Sequence, residues 1–274
     1  FGAFAKFSFF KEDSVIPDFV RQWFDSLLPI MLLIAGGWLI VQVAGVDVAG
    51  AVQAVFMPLQ SALTSPVGFV FFCFLKCFIY SMGISTWVLT PVDEPVKLAV
   101  ITANLELVAA GVATYQNLGI FTETFMFCTY LWIGGVGCTL SLCLLMMFIC
   151  KSSELKALGR ACVVPGIFNI NEPIIFGAIA WNPLLMLPMW LQGIILPIVT
   201  YIFTKVIPFA PIPRIQFDLW YCPYPISTFI ATQGSITGVI FAILTFVLSA
   251  VIWFPFVKAY DDQKVKEETA AIKA

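Results

Sequence analysis

No histidine occurs among the 274 residues, and with it goes the side chain that most often acts as a general base near neutral pH. Ser-His and Cys-His hydrolases are thereby excluded. Charge is scarce too: Asp, Glu, Lys and Arg make up 11% of the chain, against about 25% in a soluble globular domain, too little polar surface to cover a water-soluble body of this size. Fourteen Lys and Arg against sixteen Asp and Glu leave a net charge of −2. No basic stripe with interleaved aromatics is present, so no nucleic-acid partner is expected. The eight cysteines (Cys73, Cys77, Cys128, Cys138, Cys143, Cys150, Cys162 and Cys222) show no paired CxxC spacing. Without His beside them they make no metal-ligand set, and they read as thiols packed like small hydrophobes. No metal or cofactor is expected. The chain opens at Phe1 rather than Met, and no charged leader with an apolar core precedes a cleavage site; the start reads as that of a fragment or a trimmed gene.

What the sequence has is apolar length. Hydrophobic residues are 61% of the chain and the mean hydropathy is +0.98. A bilayer core of about 30 Å needs about 20 apolar residues in a helix, and five runs approach that: Leu27 to Val46, Pro66 to Leu89, Thr124 to Cys150, Pro183 to Thr204 and Gly238 to Val257. An all-α polytopic membrane protein follows, with Lys76 inside the second run facing protein or a wet cavity instead of lipid. Pro188 and Pro197 in the fourth run are tolerated where neighbouring helices satisfy the freed carbonyls.

Three stretches read poorly as straight spanning helices. Val48 to Ser65 suits a helix lying in the interface. Lys97 to Tyr115 and Cys162 to Ala180 carry Asn, Glu and Gly in their middles, and non-helical backbone at membrane depth must be buried in protein or line a cavity. Both are expected to be re-entrant hairpins around a binding site. Lys151, Lys156 and Arg160, and the lysines after the last span (Lys258, Lys264, Lys266, Lys273), place both regions on the cytoplasmic side. The charged end after Phe256 reads as a solvated helix or disordered tail, and as dispensable.

The segment Pro165 to Gly177 sets Asn169, Asn171 and Glu172 in apolar surroundings between helix breakers. A carboxylate at mid-bilayer costs about 2.5–3.5 kcal/mol on insertion scales, so it normally has a functional partner. Glu172 is the leading candidate; its alternative is a structural carboxylate paired with Lys76 or capping a broken helix. The two asparagines can bond sugar hydroxyls or satisfy open backbone at a hairpin tip. Gly134, Gly135 and Gly137 lack the strand and the Lys-Ser/Thr pair of a phosphate loop and suit close helix packing. Asp93 and Glu94, between Pro91 and Pro95, read as solvated loop residues, and Glu123 as lying at the mouth of a span.

The run GIFNINEPIIFG at 166–177, followed by Asn182-Pro183, is similar to the signature of phosphotransferase-system IIC transporters of the lactose/cellobiose/diacetylchitobiose family. VIPDFVRQWFDSLLP at 15–29, Gly134 to Leu140, Lys151-Ser152 and Pro255-Phe256-Val257-Lys258 resemble further family segments in the same order, so the likeness runs from about residue 11 to 262. The resemblance implies a glucose-superfamily-like transport domain with re-entrant hairpins. It further implies a homodimer in the inner (plasma) membrane that carries a β-disaccharide such as cellobiose, diacetylchitobiose or lactose for phosphorylation by a cytoplasmic phospho-EIIB protein. The domains it implies are 1–47, the end of the N-terminal dimerisation domain; 48–65, an interfacial helix; 66–257, the substrate-binding transport domain; and 258–274, a cytoplasmic tail. Members begin several spans earlier, so the chain resembles the C-terminal two-thirds of one. Where the family has Gly-Ile-His-Gly, this sequence has Gly83-Ile84-Ser85-Thr86. Ser85 can exchange hydrogen bonds with a sugar but cannot act as a base near neutral pH. Glu172 and Ser85 are the expected catalytic positions, and Asn169, Asn171, Glu172, Ser85 and Asn104 the expected substrate-binding ones. Trp87, Trp181, Trp220 and Tyr221 are available as aromatic faces. The alternatives are a non-phosphorylating sugar facilitator or receptor and an ion-coupled carrier built from broken helices.

Overall fold

Serine, asparagine and proline at the element boundaries decide where the helices begin. In the computed structural model, which describes residues 18–47 and 59–273, helix α2 (Pro66–Ser81) starts behind Ser65, whose side chain accepts the Gly68 N–H, with Pro66 in the first turn. Proline is at home there because its missing N–H would have no intrahelical partner. Asn182 and Pro183 repeat the arrangement for α6 (Pro183–Tyr201), and Ser152 caps α5 (Ser153–Ile167). The other α-helices of six or more residues with both ends described are α1 (Asp18–Trp38), α3 (Thr90–Ala109), α4 (Thr139–Phe148), α7 (Ile226–Ala231) and α8 (Ile236–Lys273); no strand occurs among the described residues. The chain divides at residue 55 into two units. The first contains α1, which runs on through a π-helical turn at Leu39–Val43. Most of the interfacial helix expected over Val48 to Ser65, and the first part of the 15–29 motif, lie outside the described residues.

In the second unit α2 packs on α6, α4 on α5, and α8 on α6 and α4. A Cβ at Gly193 would come within 2.8 Å of Phe74 Cα, and one at Gly159 within 2.7 Å of the Met147 nitrogen, so each helix pair depends on a missing side chain for its close approach. The polarity of α8 is inverted relative to a soluble helix. Ile240, Ile243, Leu244, Val247 and Val251 are exposed, while Thr245 and Ser249 are buried. Inside, Ser249 bonds Ser141 at 2.8 Å and its carbonyl accepts from Gln192 at 3.0 Å. An apolar stripe turned outward with hydroxyls and an amide turned inward is stable in lipid and costly in water.

Three described helices are long and apolar enough to cross a membrane: Phe24–Val43, Pro183–Val206 and Ile236–Ala271. Two of the five expected spans are therefore not single helices. The run over Thr124 to Cys150 breaks between Leu131 and Cys138, where Gly134, Gly135 and Gly137 take φ of +84°, +93° and +88°, a region glycine enters without strain. Uncharged glycine-containing runs of this kind look like helix by hydropathy alone. The run from Pro66 stops at Ser81, before Gly83 at φ +78°. In the stretch Lys97 to Tyr115 the helix does not break at Asn104 or Glu106; α3 continues to Ala109, and Gly111 at φ +72° follows. Cys162 to Ala180 does break, at Phe168 to Asn171, and resumes as a short turn at Glu172–Ile174. The charged end is neither disordered nor separate: α8 is continuous to Lys273.

Candidate functional site

Two irregular turns meet, and the asparagines join them. Asn169, itself at φ +60°, accepts the Gly134 N–H at 2.7 Å through Oδ1 and donates from Nδ2 to the Trp220 carbonyl. Asn171 donates from Nδ2 to the Val136 carbonyl at 2.9 Å and accepts from the Tyr80 hydroxyl at 3.4 Å. A Cβ on Gly135 would lie 2.4 Å from Asn171 Cγ, so the amide lies against bare backbone. Thr139 closes the glycine turn by donating to the Gly134 carbonyl at 2.6 Å. Each buried amide thus satisfies backbone that the broken helices leave open.

Beside these turns lies a cavity of about 330 Å³, within the range of small-molecule sites. Asn169, Ile170, Asn171 and Glu172 form one side, with Gly135 and Val136 from the glycine turn. Lys76 and Tyr80 come from α2, Glu94 and Lys97 from α3, and Glu123 and Phe127 from the segment after it. Trp87 and Trp220 add aromatic surface; Thr86, Thr90 and Asp218 add polar groups. Glu172 is exposed at the start of its short turn, with the Tyr80 hydroxyl in reach of its carboxylate.

Lys76 is buried in the cavity wall, as its place inside an apolar run implied, but the carboxylates and the second lysine around it were not expected there. Lys76 Nζ lies 2.8 Å from Asp93 Oδ2. Lys97 Nζ lies 3.5 Å from the same oxygen, 2.7 Å from Glu94 Oε2 and 2.5 Å from Glu123 Oε2. The Asp93 side chain is 1% exposed, so the solvated-loop expectation for it fails: Thr90 to Pro95 is helix, not loop. Asp93 is held by ammonium charge more than by aligned hydrogen bonds. Lys76 is therefore committed to Asp93, and Glu172 forms no ion pair among the described residues. A lysine inside an apolar run and a carboxylate four residues before a second lysine were the available signal, since ionisable residues at membrane depth mark sites by default.

Two expected positions stand apart from this cavity. Asn104 is spent on Gly119, donating to its carbonyl at 2.8 Å and accepting its N–H at 2.7 Å, and does not line the cavity. Ser85 is exposed and accepts the Trp87 N–H at 3.4 Å as the cap of the short 3₁₀ turn Thr86–Leu89; its neighbours Thr86 and Trp87 reach the lining, and it does not. Of the other aromatics, Trp181 and Tyr221 are also outside the lining.

Broken helices, inverted helix polarity and a cavity with charged and amide side chains in its wall define a polytopic helical membrane protein with a candidate small-molecule site. Residues 6–193 match the family described as Phosphotransferase system, EIIC, and the chain belongs to that family, as the GIFNINEPIIFG run indicated. It is 33% identical over 261 residues to the "PTS system lactose-specific EIICB component" of Lactococcus lactis subsp. lactis, covering 92% of this chain and 44% of that protein. It is 32% identical over 262 residues to the "PTS system cellobiose-specific EIIC component" of Geobacillus stearothermophilus, covering 93% and 57%. Among solved structures, it is similar to the crystal structure of the transporter ChbC, the IIC component from the N,N'-diacetylchitobiose-specific phosphotransferase system. That likeness has a TM-score of 0.73 at 30% identity and covers 95% of this chain and 61% of that one. The chain spans 44% to 61% of the length of these proteins.

Proposed function

We propose that this chain forms the sugar-binding part of an EIIC permease that carries a β-linked disaccharide such as cellobiose, diacetylchitobiose or lactose across the plasma membrane and presents it to phosphorylated EIIB in the cytoplasm. The observation that carries the reading is the cavity flanked by Asn169, Asn171 and Glu172 in a chain of the EIIC family. Glu172 accepts hydrogen bonds from sugar hydroxyls, which are all donors, and Trp87 and Trp220 cover the apolar faces of the rings. When the phosphoryl group passes to a sugar oxygen, that hydroxyl must lose its proton, and in this reading Glu172 receives it. Ser85 stands at the position of the family histidine; its hydroxyl caps the Thr86–Leu89 turn beside the cavity and would have to leave that cap to meet a sugar. The EIICB designation of the lactose-specific relatives supports an EIIB partner.

In this reading residues 66–257 are the transport domain and 48–65 an interfacial helix. Residues 1–47 end a dimerisation domain, which makes the working unit a homodimer, and 258–274 lie on the cytoplasmic side. The test is uptake of radiolabelled cellobiose and diacetylchitobiose by cells expressing the full-length gene, with free and phosphorylated intracellular sugar separated. Phosphorylated sugar that disappears with Glu172→Gln supports a group-translocating permease. Free sugar alone would instead make the protein a facilitator.

A further inference from the structure

The lysines and carboxylates along α3 do not balance, and the imbalance has a direction. Lys76, Asp93 and Lys97 have side chains 5%, 1% and 7% exposed, and charges removed from water so completely must be paired. Lys76 with Asp93 is one neutral pair. Lys97 needs one further carboxylate for the second, yet it has two, Glu94 at 2.7 Å and Glu123 at 2.5 Å. Two cations against three anions leave one carboxylate beyond what neutralisation asks. Each glutamate comes closest to Lys97 through Oε2, both line the cavity, and their side chains are 41% and 22% exposed.

We infer that Glu94 and Glu123 form a second hydroxyl-accepting wall of the cavity, with Lys97 as the positioning residue that gathers them from two different elements. The inference rests on the sugar-binding reading above and adds residues to it. Glu94 and Lys97 share one face of α3, three residues apart. Glu123 opens the next segment, fixed by Thr122, whose hydroxyl accepts the Phe125 N–H at 3.1 Å. The ammonium holds each carboxylate by its Oε2, and the Oε1 of each, which takes no hydrogen bond among the described residues, is the acceptor. A hydroxyl donated to an ionised oxygen makes one of the stronger hydrogen bonds available. The ligand class is a neutral polyhydroxylated sugar; a sugar acid of the same shape is disfavoured by the surplus negative charge.

The experiment is equilibrium binding of cellobiose and its monodeoxy analogues to the purified full-length protein. Glu94→Gln and Glu123→Gln are each expected to weaken binding about 10- to 100-fold, the range for one hydrogen bond to a charged group. For at least one monodeoxy analogue that loss should vanish, because the hydroxyl and its acceptor are then both gone. A residue that only held the fold would weaken every analogue equally. Glu94→Asp and Glu123→Asp keep the charge beside Lys97 while withdrawing the acceptor by one methylene, so they report on sugar contact even where the Gln variants unfold. Asp variants that bind every analogue within twofold of wild type overturn the inference while Glu172→Gln still abolishes binding. Wild-type protein that binds no disaccharide overturns the sugar-binding reading itself, and this inference with it.

Discussion

The carboxylate of Asp261 accepts the backbone N–H of Lys151 through both of its oxygens, at 2.9 and 2.8 Å. The same residue takes the Ser152 N–H at 2.8 Å. One helical stretch further on, Glu268 accepts the Ser152 hydroxyl at 2.6 Å and the Glu154 N–H at 3.0 Å. The charged end of α8 therefore caps the start of α5, and α5 is the helix that leads into the Asn169–Glu172 turn. A tail that reads as dispensable by composition is a fastener by position.

Replacing Asp261 with Ala should accordingly lower stability by about 1–3 kcal/mol, the cost of leaving buried N–H groups without an acceptor. Thermal unfolding in detergent would register it, and hydrogen exchange should quicken first at the amides of Lys151 and Ser152. A chain ended at Val257 should show the same pattern more strongly. Unchanged exchange at those amides would mean that the tail contributes nothing to α5.

The buried pair Lys76–Asp93 makes a sharper prediction. Lys76→Met leaves Asp93 only the more distant Lys97, 3.5 Å away, and should cost up to about 3–5 kcal/mol, whereas Lys76→Met with Asp93→Leu should recover most of that loss. Melting temperatures of the two variants decide it. If the double variant is no more stable than the single one, Asp93 draws its stabilisation chiefly from Lys97, 3.5 Å away.

Gly135→Ala joins a disfavoured backbone to a collision. The position has φ +93°, and the added Cβ would fall 2.4 Å from Asn171 Cγ. Strain at such a position costs of order 1–3 kcal/mol before any clash is counted. Sugar affinity is expected to fall more than global stability, because the displaced group belongs to the cavity wall. Equal affinity in Gly135→Ala and wild type would show that the Asn171 amide has room to move.

Asn104 and Asn171 should separate under the same substitution. Asn104→Ala removes two bonds to Gly119 and should reduce stability by about 1–3 kcal/mol with sugar affinity intact; Asn171→Ala should reduce both. Binding isotherms beside melting curves make the comparison. Lost affinity in Asn104→Ala, at unchanged stability, would return Asn104 to the substrate site.

How much of this was legible in the sequence depended on whether the signal was local. The caps at Ser65, Ser152 and Asn182 are written next to the helices they start, and the break at Phe168 to Asn171 sits inside a motif with its own polar residues. The break at Leu131 to Cys138 was hidden because its glycines interrupt an apolar run without adding charge, and hydropathy does not register φ. Asp93 was misjudged because the prolines at 91 and 95 suggest a loop; Pro91 falls in the first turn of α3, where proline costs nothing, and the helix carries Pro95 inside it. The partners of Lys97 lie 3, 4 and 26 residues away, and the last separation is invisible to any periodicity. Asn104 looked like a polar residue in want of a ligand; its partner, Gly119, is 15 residues on and uses only backbone atoms.

Position 85 offers the most direct probe of group transfer. Ser85 is exposed and its hydroxyl bonds only to the backbone of Trp87, at 3.4 Å, so Ser85→His exchanges an unstrained surface cap and should leave the melting temperature within a degree or two. An exposed imidazole titrates near about pH 6.5: above that value it is neutral and can accept a proton, below it the base is lost. If the position takes part as a base, sugar phosphate should form faster in Ser85→His than in wild type at pH 7.5, by about 10- to 100-fold at the lower end of general-base contributions. The advantage should then shrink as pH falls through 6.5 toward 5.5. A gain that instead grows on acidification would assign the position an electrostatic role, met by the imidazolium. Equal rates at every pH would place the transfer chemistry elsewhere, with Glu172 as the first group to examine.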